Sequence, residues 1–428
     1  MLFRTLIVGC IFGCIANIAP FLFAQDHIRL SDEDEELVVQ LLSLPDIKRL
    51  KPPEQKRIFE QMQHLIGMVQ KATILNDELL KNLCEKQCIF FAYEKKAYID
   101  LATYFYRKDD FQNTVSNAQK ALSAENIFYS DPQNQLDVTA YTYLGQHALE
   151  NEKLLDAYNF LSQALVRNSQ IVLPYFLMGN TCFKLKKFSE SIEAYTKAFS
   201  LDPTPAYPID YFFFALGLHK AGYPEKAEQI LLLGILAYPN EEGLHLNRGF
   251  VLREMNNLFL ALLEFQMEMF LLGPEGRFYQ SAHTNAMATE KLILQRNDVH
   301  EMELFGHIIK WRQYMDGKKY PLAIDELLAL KQSLGSSHWV INFYLEQAYF
   351  LIEDYEKAQK VLDEMETTNP GIVLTNLLLA DVYLRMANIE QAKNYYSRAS
   401  AIAPDNFRVK ELFDRISAVK ISDNDSQN

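Results

Sequence analysis

The sequence predicts an all-α protein built from a row of similar helix pairs. The chain of 428 residues contains only 16 Gly and 15 Pro, fewer than the many turns of an all-β protein of this length would use. Hydrophobic residues make up 49% of the chain and charged residues 23%, which excludes a disordered protein. Related segments of about 34 residues also recur along the chain, and repetition at this length is typical of helical solenoids.

An uncharged, apolar run follows Arg4 and continues to Gln25. We interpret residues 1–24 as a signal peptide or a membrane anchor. Asn17 and Pro20 suit a bilayer-spanning helix poorly, so cleavage after Ala24 is favoured over an uncleaved anchor.

Two alternatives keep the N-terminus attached to a membrane. Residues 5–25 match the ~20 apolar residues that span a bilayer, so they would serve as a tether if uncleaved. Cys14 follows Phe12 and Gly13, which loosely resembles the lipid-attachment motif of bacterial lipoproteins. All three interpretations place the body of the protein outside the cytoplasm, and we expect a periplasmic, membrane-associated or secreted protein.

Residues 25–94 predict helices that carry no repeat consensus. Ser31 precedes a run of acidic residues, which is a helix-capping pattern, and Pro53 falls in the first turn of a second helix. Cys84 and Cys88 lie four residues apart on one helical face, where two small buried residues are favoured over a redox pair. This N-terminal helical segment is a degenerate repeat, a cap or a separate docking element.

Two segments define the repeated unit: residues 174–203, PYFLMGNTCFKLKKFSESIEAYTKAFSLDP, and residues 377–404, LLLADVYLRMANIEQAKNYYSRASAIAP. Each has a small residue in its first helix, Gly179 or Ala380. Each then has an aromatic residue and an alanine in its second helix and closes with a proline. A small residue at that position lets the two helices of a pair approach without a side chain between them.

These features resemble the tetratricopeptide repeat, whose 34-residue unit joins a W-x2-L-G-x2-Y helix to an A-x3-F helix and a closing Pro. The resemblance implies that antiparallel helix pairs stack into a right-handed superhelical solenoid that binds proteins or peptides. About eight units can be aligned, several of them degenerate, and they begin at Lys95, Val138, Val172, Pro208, Glu242, Leu304, Trp339 and Val373.

The repeats divide the rest of the chain into blocks. Residues 95–275 form a first TPR-like block, and residues 304–406 form a second. Residues 276–303 between them have a helical composition without repeat features, which predicts an inserted helix or a degenerate repeat. Residues 407–420 predict a capping helix, because apolar residues recur there at helical spacing, and residues 421–428 predict a flexible tail.

The aromatic run YFFF at residues 211–214 lies on the first helix of one unit. Its positions fall on two adjacent faces of that helix. The face predicted to pack in the core carries Tyr211, Phe214, Ala215 and Leu218. The other face, which the resemblance places in the concave groove, carries Phe212, Leu216 and His219.

We predict a peptide-binding groove from this second face and its equivalents in the neighbouring units. Its aromatic members suit an apolar or amphipathic peptide, and its polar members would orient that peptide. The alternative is that a tightly wound array fills its own groove or closes it with residues 276–303. The predicted groove residues are Phe176, Asn180, Phe183, Phe212, His219, Lys220, Phe250 and Arg253.

No motif in the sequence indicates catalysis. Gly-rich phosphate loops, H-E-x-x-H, C-x-x-C and G-x-S-x-G are all missing from the sequence, so we expect a non-enzymatic scaffold or chaperone-like adaptor with no cofactor. The formal net charge of −13 repels phosphate backbones, which argues against a nucleic-acid partner.

The alternative hypothesis from a different class is a metal-binding protein or enzyme with a site built by residues 276–307. His300, Glu301, Glu303 and His307 are grouped there, and His283 is near in sequence. His300 and His307 are two helical turns apart, roughly 10 Å, which is too far for both to bind one ion without a bend.

Overall fold

The computed structural model describes residues 31–71, 77–202, 206–296, 298–335, 338–404, 408–412 and 416. The predicted signal or anchor, Cys14, the flexible tail and much of the predicted capping helix therefore lie outside the described residues. None of the helices in the described ranges has both the length and the apolar character needed to cross a membrane.

The chain is all-α, as predicted, and the described ranges contain no strand. It divides into two compact units between Asp210 and Tyr211. The helices up to this division are α1 (Asp32–Ser43), α2 (Pro52–Lys71), α3 (Asp77–Phe90), α4 (Lys95–Arg107), α5 (Phe111–Ser123), α6 (Gln135–Glu150), α7 (Leu154–Arg167), α8 (Leu173–Lys184) and α9 (Phe188–Leu201).

The division falls inside helix α10 (Pro208–Lys220). The helices that follow it are α11 (Pro224–Ala237), α12 (Leu244–Glu254), α13 (Leu258–Leu272), α14 (Tyr279–Arg296), α15 (Val299–Asp316), α16 (Tyr320–Leu334), α17 (Trp339–Leu351), α18 (Tyr355–Thr368), α19 (Val373–Arg385) and α20 (Ile389–Ile402). Below, unit 1 is the part of the chain up to Asp210, and unit 2 is the part from Tyr211 onwards.

Within each unit the helices pack mainly against their neighbours in sequence, as helix pairs stacked in a row do. The turn inside each pair has one recurring form. A residue with positive φ ends the first helix, and the N–H of the next residue bonds to a carbonyl five positions back. The positive-φ residues of these eight turns are Asp109, Glu152, Lys186, Gly222, Asn256, Lys318, Glu353 and Ala387.

The small residues in the first helices are required by close packing, as the sequence predicted. A Cβ atom on Gly179 would lie 2.7 Å from the ring of Tyr195 on the paired helix. A Cβ atom on Gly249 would lie 2.6 Å from the ring of Phe265. In both pairs the glycine therefore makes room for an aromatic ring of the second helix.

The N-terminal helices of unit 1 share one hydrophobic cluster. Phe59 of α2 and Phe91 after α3 meet edge to face, with ring centroids 5.1 Å apart. Cys84 and Cys88 are free thiols on α3, and burial raises the pKa of Cys88 to about 12. The thiol of Cys88 donates to the carbonyl of Ala97 at 3.3 Å. Both cysteines are therefore protonated packing residues in this structure.

Helix α13 is the centre of unit 2. It packs against α12, α14, α15, α17 and α19, and every residue from Leu258 to Glu268 except Leu260 is buried. Helix α14 comes from the segment 276–303 that interrupts the repeats, and its packing on α13 helps to enclose that helix. A helix that is hydrophobic nearly all round is stable only when it is enclosed in this way.

Candidate interaction surface

In unit 1, two of the predicted groove residues are enclosed by contacts within the unit. Phe176 is 2% exposed, and its ring lies 5.4 Å from that of Phe199. Asn180 is also buried, because its amide donates to Oδ1 of Asp210 at 2.9 Å and its Oδ1 accepts from the Tyr195 hydroxyl at 2.6 Å. Neither side chain is open to a ligand, since both are used to hold the fold.

Asp210 completes this buried chain of hydrogen bonds. Its second oxygen accepts the N–H of Tyr207 at 2.9 Å. Burial raises the pKa of Asp210 to about 6, although the bonds from Tyr207 and Asn180 act in the opposite direction. The chain from Tyr195 through Asn180 to Asp210 thus joins α8, α9 and the first turn of α10.

Other first-helix positions in unit 1 also find partners inside the unit. The hydroxyl of Tyr106 donates to Gln146 at 2.8 Å, and its ring stacks on Tyr143 at 4.7 Å. Phe183, the third predicted groove residue of unit 1, is half-buried with its ring 5.5 Å from that of Phe188. In unit 1 the geometry therefore favours the alternative in which the array fills its own groove.

The two-face interpretation of YFFF agrees with the burial of α10 in unit 2. Tyr211, Phe214, Ala215 and Leu218 are buried. Phe212 is half-buried, and its ring lies 5.2 Å from that of its neighbour Phe213. The core stripe is confirmed, and the second face keeps partly accessible aromatic surface.

The polar end of this face lies at the C-terminus of α10. Nε2 of His219 is 3.1 Å from a carboxylate oxygen of Glu254, which connects α10 to the end of α12. Nδ1 of His219 is buried without a hydrogen-bond partner. Lys220 beside it is exposed, so one cation remains available at this edge.

Phe250 and Arg253 extend the face along α12. The Arg253 guanidinium lies 5.3 Å from the centroid of Phe250 and 5.5 Å from that of Phe265. One of its nitrogens donates to Oδ1 of Asn285 on α14 at 2.9 Å. Burial lowers the pKa of Arg253, while Glu254 acts against that shift. The inserted helix thus holds the arginine over the aromatic rings.

The sequence did not reveal a buried ionic cluster between α12 and α13. Glu264 of α13 lies 2.6 Å from Arg248 and 2.6 Å from Nδ1 of His245. Burial opposes ionisation of Glu264, but His245 and Arg248 outweigh it and hold the pKa of that carboxyl well below its usual value. The only sequence signal is a glutamate inside the apolar run LFLALLEF, which has no helical partner of opposite charge.

The residues of the proposed metal site have partners on different helices. The Glu301 carboxylate accepts the N–H groups of Leu258 and Phe259, which caps α13. Nδ1 of His307 lies 2.7 Å from Glu326 of α16. In the ranges that the structure describes, no three His, Cys, Asp or Glu side chains are grouped so that they could hold a metal ion.

Two models of the tetratricopeptide repeat match the chain, one over residues 172–205 and the other over residues 350–416. The first spans α8 and α9, and the second spans α18 to α20. The chain therefore contains tetratricopeptide repeats. Tetratricopeptide repeats support protein–protein interaction, so this tetratricopeptide-repeat protein is an interaction scaffold whose partners are proteins or peptides.

Solved structures similar to this tetratricopeptide-repeat protein include YrrB, described as a TPR protein with an unusual peptide-binding site. It is 17% identical, covers 49% of this chain and 97% of its own, and has a TM-score of 0.38. MamA is 19% identical over 41% of this chain and 90% of its own, with a TM-score of 0.34. The Cut9–Hcn1 hetero-tetramer of the APC/C is 13% identical over 91% and 67%, with a TM-score of 0.31. Likeness at these TM-scores carries no conclusion about this chain.

No curated protein sequence matches this tetratricopeptide-repeat protein significantly.

Proposed function

We propose that this protein is an exported, non-enzymatic scaffold or chaperone-like adaptor that binds an apolar or amphipathic peptide segment of a partner protein. The observation that supports this most directly is the partly accessible aromatic face of unit 2, formed by Phe212 on α10 and Phe250 on α12. Accessible aromatic rings with a few polar groups at their edge are typical of peptide-recognition surfaces.

The polar residues around this face would set the orientation of the peptide. Arg253 is held over Phe250 by Asn285, so its cation is fixed at the level of the rings. His219 is fixed by Glu254, and Lys220 adds an exposed positive charge next to it. A peptide with apolar side chains and an acidic group on one side is therefore the chemistry that this face fits. The surface is a proposal for unit 2 only, since Phe176 and Asn180 are enclosed in unit 1.

Selection from a random-peptide library on the full chain tests the proposed surface. Peptides enriched on the native protein should be apolar or amphipathic, and Phe212→Ala or Phe250→Ala should weaken their binding at least ~10-fold. Tyr223→Ala is the matched control, because Tyr223 is an exposed aromatic residue of the same unit that lies outside this face. If the selected peptides bind Phe212→Ala and Phe250→Ala as well as the native chain, the surface lies elsewhere.

Export is the second part of the proposal, supported by the apolar run after Arg4. Mass spectrometry of the protein from its native cells should give an N-terminus near Gln25, or an intact chain in the membrane fraction. Membrane material with a lipid on Cys14 would select the third alternative. An intact chain recovered only from the cytoplasm would refute export.

We propose no catalytic activity, because the sequence has no catalytic motif. We propose no nucleic-acid partner, because the net charge of −13 repels phosphate backbones. Metal analysis of the purified protein tests the competing hypothesis. Stoichiometric metal that disappears in the double variant His300→Ala with His307→Ala would replace the scaffold proposal with a metal protein.

A further inference from the structure

Side-chain hydrogen bonds connect two parts of unit 2 that lie far apart in the sequence. The Asn240 side chain, in the loop between α11 and α12, bonds to the backbone at the start of α19 and in the loop just before it. Its Nδ2 donates to the carbonyl of Gly371 at 2.8 Å, and its Oδ1 accepts the N–H of Val373 at 2.9 Å. One amide side chain thus satisfies both a donor and an acceptor more than a hundred residues away.

A second polar contact links the same two regions. The Arg408 guanidinium donates to the carbonyl of Phe270 at 2.8 Å. Phe270 lies in the last turn of α13, where helix carbonyls have no partner inside the helix and where positive charge is favourable. Arg408 therefore gives the Phe270 carbonyl the hydrogen-bond donor that α13 itself cannot provide.

The C-terminal repeat that these bonds hold has a small core of its own. Val373, Leu377 and Ala380 of α19 form a separate cluster with Ala399 of α20 and the residues Val409, Leu412 and Ile416. The opposite side of α19, which includes Leu374 and Leu379, joins the main core of unit 2. In a stack of repeats a terminal repeat contacts one neighbour only, so bonds to a distant repeat are an addition to the usual scheme.

We propose that the described C-terminal residues 371–404 and 408–412 act as a latch: Asn240 and Arg408 fasten this repeat to the α11–α13 region, and release of these bonds opens unit 2 at that end. The latch reaches the C-terminal end of α13 through the bond from Arg408 to the Phe270 carbonyl. The latch is a property of unit 2 alone and does not depend on the proposed peptide face.

Hydrogen exchange of the full chain, followed by mass spectrometry, tests the latch with Asn240→Ala. The variant loses two hydrogen bonds and almost no apolar contact, so peptides covering α19 and α20 should exchange about tenfold faster. Peptides covering α12 and α13 should stay within about twofold of the native chain, because their core is not touched. Asn257→Ala is the control, since Asn257 is exposed and its side chain makes no capping bond.

Two results would overturn the proposal. If α19 and α20 exchange at the native rate in Asn240→Ala, the two Asn240 hydrogen bonds do not hold the C-terminal repeat in place. If α12, α13, α19 and α20 all accelerate equally, unit 2 opens as a single body and has no separate latch. Arg408→Ala provides an independent variant, and it should accelerate the same peptides as Asn240→Ala rather than a different set.

Discussion

The repeats that begin at Val172 and Glu242 are built on the same scaffold but place different side chains on their inner face. In each, a glycine of the first helix accepts an aromatic ring of the second: Gly179 with Tyr195, and Gly249 with Phe265. The shared geometry shows that the scaffold depends on a glycine opposite a ring, and not on which ring is used.

The difference lies in the residue after each glycine. Asn180 follows Gly179, and the Tyr195 hydroxyl and Asp210 both bond to it, so that position is closed by hydrogen bonds. Phe250 follows Gly249, and its half-buried ring lies 5.5 Å from Phe265. Asn180 with its polar partners thus closes the inner face in unit 1, whereas Phe250 with Phe265 keeps aromatic surface there in unit 2. This is why the proposed peptide contacts fall in unit 2.

The largest expected effect separates the buried from the accessible aromatic residues of unit 2. Phe214→Ala should lower the free energy of unfolding by ~3 to 5 kcal/mol through lost burial and a cavity, because Phe214 is 6% exposed. Phe212→Ala should cost far less stability, because that ring keeps part of its surface in water. Urea unfolding of both variants measures the contrast.

A reversed order of the two losses would count against the accessible face. If Phe212→Ala is the more destabilising variant and binding of selected peptides is unchanged, Phe212 is a core residue and the inner face of unit 2 is filled, as it is in unit 1. The peptide-binding proposal would then lose its main support.

The next effect concerns a repeat that breaks the shared scaffold. Glu346 occupies the small-residue position in the repeat that begins at Trp339, and it is 1% exposed. Burial raises the pKa of Glu346 from 4.5 to about 7, and the nearby Asp381 adds to the shift, while the bond from Gln347 reduces it. The Glu346 carboxyl therefore lies where glycine lies in the other two repeats. No cation is among the groups that set its pKa, so the charged form of the carboxyl is unfavourable there.

The sign of the pH dependence follows from this raised pKa. Below pH 4.5 the carboxyl is protonated in both the folded and unfolded chain, and it has no effect. Between pH 4.5 and 7 only the unfolded chain loses the proton, so stability falls as pH rises, by about 3 kcal/mol in total. Glu346→Gln should therefore raise the free energy of unfolding at pH 8 by up to that amount and have little effect at pH 4.

Urea unfolding at pH 4, 6 and 8 checks this dependence. Glu193→Gln, at an exposed position of α9, is the matched control and should show no such trend. An equal gain from Glu346→Gln at pH 4 and pH 8 would mean that packing, and not the charge, accounts for the change.

The sequence was sufficient for the features that recur within each repeat. The glycine at position 179 and the spacing of about 34 residues predicted the helix pairs, because both reflect contacts between helices that are adjacent in the chain. The left-handed turn residues carried no comparable signal. Glu152, Lys186 and Ala387 have positive φ although none is a glycine, so the turn is imposed by the helix pair and not by local preference.

The sequence was insufficient for contacts between distant repeats. Phe176 and Asn180 fit the groove pattern of the repeat. Whether those positions are open to a ligand depends on how tightly the helix pairs of unit 1 stack. The sequence pattern of a single repeat does not contain that information. Asn240 lies 131 residues before Gly371, and nothing in either segment indicates the bond between them. Glu264 likewise finds its cation, Arg248, on a different helix, which a helical charge pattern cannot show.

A smaller effect tests the glycine that the two repeats share. Gly179→Ala and Gly249→Ala should each cost ~1 to 3 kcal/mol, because the new Cβ would lie within 2.8 Å of a ring that cannot move away. Gly306→Ala is the matched control on α15. A Cβ atom there meets nothing within 4 Å, so the helical preference of alanine should add up to ~1 kcal/mol. Thermal unfolding that ranks all three variants alike would show that the glycines do not make room for the rings.

The smallest effect addresses the difference between the repeats directly. Tyr195→Phe should cost ~1 to 2 kcal/mol, because it removes the hydroxyl that bonds to the buried Asn180. Phe265→Tyr should also destabilise, since its hydroxyl would be buried opposite Phe250, which offers no oxygen. The double variant Phe265→Tyr with Phe250→Asn restores the pair found in unit 1, and it should recover ~1 kcal/mol relative to the sum of the two single losses. Strictly additive losses in urea unfolding would show that the tyrosine–asparagine bond does not transfer between repeats, and that the closed inner face of unit 1 depends on Asp210 instead.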